Sequence, residues 1–144
     1  MKLTLLGTGC PSIDYKRCGS SNLISTNKTN ILVDCGSGVT QRLNESGNSS
    51  ADINALLLTH LHTDHVIDLY QLIISSWHSD RDSIWKIYGP KGTKKFVDQI
   101  FLAWKNERKL RISYEKRKSI KALKYKVFEF NKTGSIKIKD IKFK

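Results

Sequence analysis

Hydrophobic and polar positions along the chain change period several times, and each change marks an element. Lys2-Leu3-Thr4-Leu5-Leu6 reads as a strand that stops at the Gly7-Thr8-Gly9 turn. Two further apolar runs, Asn22 to Thr26 and Asn30 to Asp34, are separated by Asn27-Lys28-Thr29, which predicts a hairpin. Cys35-Gly36-Ser37-Gly38 breaks the second of these, and the spacing of Val39 and Leu43 is helical. Asn44 to Ser50, rich in Asn, Ser and Gly, reads as a loop. Ile53 to Leu58 is a continuous apolar run suited to a strand buried on both faces.

Beyond that strand, Val66, Leu69, Leu72, Ile73 and Trp77 repeat at helical intervals, predicting a helix that starts at His65. Ile84 to Tyr88 reads as a buried strand closed by Gly89-Pro90, and a helix is predicted from Thr93, with Thr93 as its cap. Val127 to Phe130 is a further strand. Ile136 and Ile138 alternate with lysines, and Ile141 and Phe143 resume in the opposite phase, which implies a bulge or tight turn at Lys139-Asp140. Strands alternating with helices, with hairpins among the crossovers, point to a layered α/β architecture. No internal repeat and no linker divides the chain, so a single domain over residues 1–144 is expected.

Composition sharpens this picture only in places. With 39% hydrophobic and 26% charged residues the chain has the balance of a soluble globular protein, and no apolar run approaches the ~20 residues of a membrane span. Leu3 to Leu6 falls short of the about 7–15 apolar residues of a signal peptide, so a cytoplasmic protein without membrane contact is expected. Cys10, Cys18 and Cys35 contain no C-x-x-C pair and are read as buried free thiols. The net charge of +12 is concentrated late: residues 105–144 hold 15 Lys and Arg against Glu107, Glu115, Glu129 and Asp140. Such a segment suits phosphate-bearing partners such as RNA, although lysines on solvated faces, with few aromatics interleaved, account for it more simply.

One cluster carries chemistry. Thr59-His60-Leu61-His62-Thr63-Asp64-His65 follows the buried strand directly and contains three of the chain's four histidines. Imidazoles and a carboxylate are the donors that zinc and related divalent ions take. Side chains alternate along extended chain, so His60 and His62 face one way and can grip one ion. Asp64 and His65, at the entry to the next helix, can turn toward a second ion. Two adjacent metals polarise a phosphoryl or carbonyl oxygen and supply a hydroxide at neutral pH. By contrast, Gly7-Thr8-Gly9 lacks the G-x-G-x-x-G and Walker patterns and is read as a turn.

The pattern His-x-His-x-Asp-His after an apolar strand resembles the metallo-β-lactamase superfamily. Leu5-Leu6-Gly7-Thr8-Gly9, Ser20-Ser21-Asn22-Leu23, Ile31-Leu32-Val33-Asp34-Cys35-Gly36 and Tyr88-Gly89-Pro90-Lys91-Gly92 are similar to its ribonuclease Z and arylsulfatase-like branch. At two places the chain leaves the ribonuclease Z pattern: Thr63 stands where glycine is usual, and Val66-Ile67-Asp68-Leu69-Tyr70 replaces a Gly-Leu-Pro-Gly run. There it is nearer the arylsulfatase-like members.

The resemblance implies an αββα sandwich, of which this chain forms the N-terminal half, with a mixed sheet and helices on the outside. It implies that His60 and His62 hold the first metal and that Asp64 and His65 hold the second. Asp64 would also orient the attacking water, and Asp34 would be a supporting carboxylate behind the site, its other reading being a turn cap. The implied cofactor is zinc, two ions in a complete site, with Mn2+ or Fe2+ as alternatives. The implied function is a metal-dependent hydrolase acting on phosphodiester, sulfate or carboxylic ester bonds. Alternatives are a ribonuclease Z-type enzyme processing transfer-RNA 3′ ends, with segment 105–144 holding RNA, and an inactive metal-binding fragment. The family's later ligands, a histidine, an aspartate and a last histidine, have no counterpart here, since no histidine follows His78. The expectation is a domain truncated before them, or a homodimer in which a second chain supplies them.

Overall fold

The computed structural model describes residues 1–130 and 135–143. Six strands form one mixed sheet in the order β1 (Lys2–Gly7), β2 (Ser21–Ser25), β3 (Asn30–Val33), β4 (Ala55–Leu57), β5 (Trp85–Pro90) and β6 (Tyr125–Phe130). The first three are antiparallel neighbours; β3 to β6 are parallel, as crossovers through helices require. The helices are α1 (Val39–Glu45), α2 (Thr63–Val66), α3 (Leu69–His78), α4 (Thr93–Ala103) and α5 (Lys105–Glu115). A small hairpin, β7 (Ile136–Ile138) and β8 (Ile141–Phe143), turns at Lys139-Asp140 with Lys139 at φ 53°, which is the tight turn that the phase change demands.

Alternation along the strands sorts the side chains into two cores. Leu23, Leu32, Leu56 and Ile87 lie in register across the sheet and pack under Val39, Leu43, Leu72, Ile73, Trp77, Val97 and Phe101 of the helices. On the opposite face run Ile24, Ile31 and Ala55, and beside them Val33, Leu57 and Tyr88. This second face is covered by the β7–β8 hairpin through Ile138 and Ile141. Asp140 pins the hairpin to the β2–β3 turn by accepting from the hydroxyls of Thr26, at 2.8 Å, and Thr29. Leu3 and Leu5, the β1 members of the same face, remain 61% and 65% exposed. Strand β4 is buried on both sides, which is why its sequence is apolar without alternation.

Three expectations are corrected and one helix was not expected at all. The helix expected from His65 is two helices, because Asp68 turns its carboxylate to the Thr40 amide at 2.7 Å and its own amide donates to the Cys35 carbonyl. Thr93 is not the cap of α4: its hydroxyl donates to the Pro90 carbonyl, while Glu129 accepts from the amides of Gly92 and Lys94, both at 2.9 Å. Among the cysteines only Cys35 is buried; Cys18 is half-buried and Cys10 exposed, all three as free thiols. Burial and the nearby Asp68 and Asp34 carboxylates push the Cys35 thiol well up, which keeps it neutral. Helix α5 had no apolar periodicity to announce it. Its inward face is instead a charged ladder in which Arg111 donates to Glu107 and Glu115, with Tyr70 donating to Glu107 at 3.0 Å.

Arg81 closes the end of the molecule away from the β4 C-terminus. It is 3% exposed and donates to the carbonyls of Ala51, Ile53, Ser83 and Ile84, with its guanidinium 4.2 Å from the centre of the Trp85 ring. Burial lowers its pKa to about 10, still charged at neutral pH. Among the described residues no helix is long and apolar enough to cross a membrane.

Candidate metal centre

The histidine cluster stands where β4 ends, at the edge to which the parallel strands deliver their C-termini. That edge is where open α/β sheets place their sites, because the connections there are free to vary. The chain leaves β4 extended, with His62 at φ −69° and ψ 149°, and enters α2 at Thr63. His60 and His62 therefore point to one side as alternation requires, their ring centres 4.7 Å apart. The first turn of α2 brings His65 back toward them, its ring centre 4.0 Å from that of His60. Asp64 joins the group, with one carboxylate oxygen 3.5 Å from His65 Nε2. Leu61, between the two histidines, points the other way and lies against Gly92 at the β5–α4 turn.

Asp34 organises the cluster from behind. It is 3% exposed and adopts φ 61°, a left-handed conformation that aspartate tolerates better than most residues. Its carboxylate accepts from the Thr59 amide at 2.8 Å, from the Thr59 hydroxyl at 2.8 Å, and from His65 Nδ1 at 2.8 Å. The Thr59 hydroxyl has one proton. Having given it to Asp34, the oxygen can only accept from His60 Nδ1, 2.9 Å away. A single carboxylate thus assigns the tautomer of two imidazoles, one directly and one through a threonine. Both are left with the Nε2 lone pair free, the form in which histidine binds a metal. Thr59 was not singled out in the sequence. Its signal was its place, a hydroxyl residue immediately before the first histidine at the end of a buried strand.

Glycine is required where these segments meet. A Cβ on Gly36 would collide with the Asp64 carbonyl oxygen and with the Gly19–Ser20 backbone. Cys35 donates its amide to the His65 carbonyl at 2.7 Å, which ties the Asp34 segment to α2 along the backbone as well. All five residues read from the sequence, Asp34, His60, His62, Asp64 and His65, are therefore brought together. His78 is not among them. It lies at the far end of α3, where its Nε2 is 3.1 Å from Glu115 Oε1.

The donor set suits a divalent ion: neutral imidazole nitrogens and a carboxylate, with supporting hydrogen bonds already in place. The 3.5 Å between Asp64 and His65 is close to the roughly 3.4 Å that separates two ligands on a tetrahedral ion with bonds of about 2.1 Å. Yet among the described residues no group of three or more His, Cys, Asp or Glu side chains surrounds one point closely enough to hold an ion. The cluster offers pairs of donors, not a closed site.

Known proteins are similar to this chain in sequence and in fold. Ribonuclease Z of Mycolicibacterium gilvum is 41% identical over 118 residues, covering 79% of this chain and 41% of that protein. Ribonuclease Z of Mycobacterium marinum is 38% identical over 117 residues, covering 79% and 42%. This chain thus spans about two-fifths of the length of these curated relatives. Among solved structures, the short form of human tRNase Z superposes with a TM-score of 0.65 at 29% identity, over 72% of this chain and 40% of that one. The metallo-β-lactamase fold protein YhfI from Bacillus subtilis, 19% identical, gives a TM-score of 0.69 over 97% of this chain and 49% of that one, a likeness of fold. The profile of the family described as anti-Pycsar protein Apyc1 matches residues 1–144. The chain belongs to that family, and it has the metallo-β-lactamase fold, with ribonuclease Z proteins among the sequences it resembles.

Proposed function

We propose that this chain supplies the first ligand half of a two-metal phosphodiester hydrolase. The supporting observation is the Asp34 relay, which frees Nε2 of both His60 and His65 beside His62 and Asp64. A buried carboxylate spent on the tautomers of two clustered histidines is of use chiefly to something that binds both. His60 and His62 would hold one ion, Asp64 and His65 the other, with zinc as the metal. When bound, the ions supply Lewis acidity and a hydroxide at neutral pH. Asp64 would accept the proton of the attacking water and keep that water in line with phosphorus. Asp34 and Thr59 would hold the two imidazoles still while charge redistributes. Of the ester classes considered, phosphodiesters are favoured because the relatives at about 40% identity are ribonucleases. The domain would need further donors, from a following segment or a second chain, to complete each ion's shell.

Asp64→Ala is the direct test. With metal present and the ligand shell complete, hydrolysis of bis(p-nitrophenyl) phosphate should fall by about two to four orders of magnitude, since a ligand and the proton acceptor go together. Turnover within a few-fold of the parent would remove Asp64 from the site.

The ribonuclease Z identities also keep a second reading open, transfer-RNA 3′ processing with the basic segment 105–144 on the RNA backbone. Residues 131–134 and 144 of that segment lie outside the described residues. Several of the others are engaged within the fold, Arg111 with Glu107, Arg117 with Glu115, and Lys121 with Asp82. Lys105, Lys109, Lys116 and Lys118 are exposed on and after α5. If these lysines hold RNA, filter-binding affinity should fall steeply, by tenfold or more, between about 50 and 200 mM salt as counterions are released. A flat response would remove RNA as a partner of this segment.

A further inference from the structure

The loop from Thr8 to Ser20, which leaves β1 at the same end of the sheet as the histidine cluster, has fastened stems and a bare tip. At the stems, the Gly9 amide donates to the Cys18 carbonyl, the Gly19 amide to the Ser37 carbonyl and the Gly36 amide to the Ser20 carbonyl, at 2.8 to 3.1 Å. Backbone approaches so closely there that a Cβ on Gly7 would collide with the Gly19 carbonyl. The stems are thus fastened to the same segments that carry Asp34 and Asp64. Between them, Asp14 and Arg17 bridge, with the Arg17 amide donating to the Asp14 carbonyl at 3.1 Å and the Lys16 amide to the Asp14 carboxylate at 2.8 Å. This turn leaves Ile13 99% and Tyr15 90% exposed, with the Lys16 ammonium 5.3 Å from the centre of the Tyr15 ring.

A tyrosine so exposed contributes almost nothing to folding, since burial is what makes an aromatic side chain stabilising. Here it stands at the tip of an anchored arm, beside the Lys16 ammonium and two residues before Arg17, at the end of the sheet that carries the metal ligands. We propose that Cys10–Arg17 is the substrate-gripping arm of the centre: Tyr15 stacks on a base of a nucleotide phosphodiester, and Lys16 and Arg17 hold a flanking phosphate. Aromatic faces interleaved with cations are how single-stranded nucleotides are held without regard to sequence. The arm therefore makes the centre select nucleotide diesters over simple alkyl ones. It rests on the phosphodiesterase reading above.

The test compares binding of uridylyl-uridine with that of dimethyl phosphate, which has the diester and no base, to the zinc-loaded 144-residue chain by calorimetry. The dinucleotide should bind more tightly. Tyr15→Ala should weaken the dinucleotide about 5- to 100-fold, as loss of one stacked base does, and leave dimethyl phosphate unchanged. Tyr15→Phe should restore binding, while Lys16→Ala with Arg17→Ala should remove the added affinity that a 5′-phosphate, the flanking one, gives the dinucleotide. Equal affinity of the parent for the two ligands, or a Tyr15→Ala variant that binds the dinucleotide like the parent, would overturn the proposal. Metal content of His60→Ala, measured in parallel, reports on the metal reading alone, so the failure of one is separable from the failure of the other.

Discussion

Replacing His60 or His62 with alanine is expected to abolish metal binding at the first pair, leaving a pocket with one protein donor where an ion needs several. Zinc occupancy by equilibrium dialysis against excess zinc is the measurement, and occupancy equal to the parent's in either variant would reject the assignment. The relay behind the pair refines the expectation. Thr59→Val keeps the shape of the side chain but breaks the path from Asp34 to His60 Nδ1, which spans 2.8 and 2.9 Å. Metal affinity should then fall about 10- to 100-fold, the usual cost of losing a supporting hydrogen bond to a ligand. Thr59→Ser, which retains the hydroxyl, should recover most of it. A valine variant with parental affinity would mean that the tautomer of His60 is held by something other than Asp34.

The uneven legibility of this chain has physical reasons. The β4 run and the histidine cluster were readable because each is local: a strand buried on both faces must be apolar throughout, and metal donors alternate along a few residues. The β7–β8 turn was readable because one extra residue in strand phase flips every side chain. What escaped depended on partners distant in sequence. Asp68 splits a helix by bonding to Thr40, 28 residues away, and Glu129 caps α4 from 35 residues downstream. Nothing in the spacing of either residue announces the partner. Helix α5 escaped for the opposite reason, because polar pairs rather than apolar residues fill its inner face, and a search for apolar periodicity passes over such a helix. Asp34 was legible as a carboxylate at a strand end. Its connection to His60 was not, because that runs through Thr59, whose part depends on where its single proton goes.

The second large effect concerns what the 144-residue chain does by itself. Four donors shared between two ions average about two each, short of the three protein ligands usual for a catalytic zinc. Zinc should therefore bind weakly, in the micromolar range or above by equilibrium dialysis, with little hydrolysis. The sheet face opposite the helices adds a second consequence. The β7–β8 hairpin covers Ile31, Ala55 and Leu57, whereas Leu3 and Leu5 on β1 stay 61% and 65% exposed. Among the described residues strand β1 pairs only with β2, so it also offers an unpaired backbone edge beside those leucines. An apolar face next to an open edge is the arrangement that draws chains together. On a sizing column the chain should elute well above its 16.4 kDa, and the substitution of both Leu3 and Leu5 by lysine should return it toward the monomer position. A monodisperse parent monomer binding two zinc ions tightly would show that this chain contains donors beyond Asp64 and its three histidines. A stable dimer with full metal content would instead place the remaining ligands on the second copy, and the double lysine variant should then lose metal and dimer together.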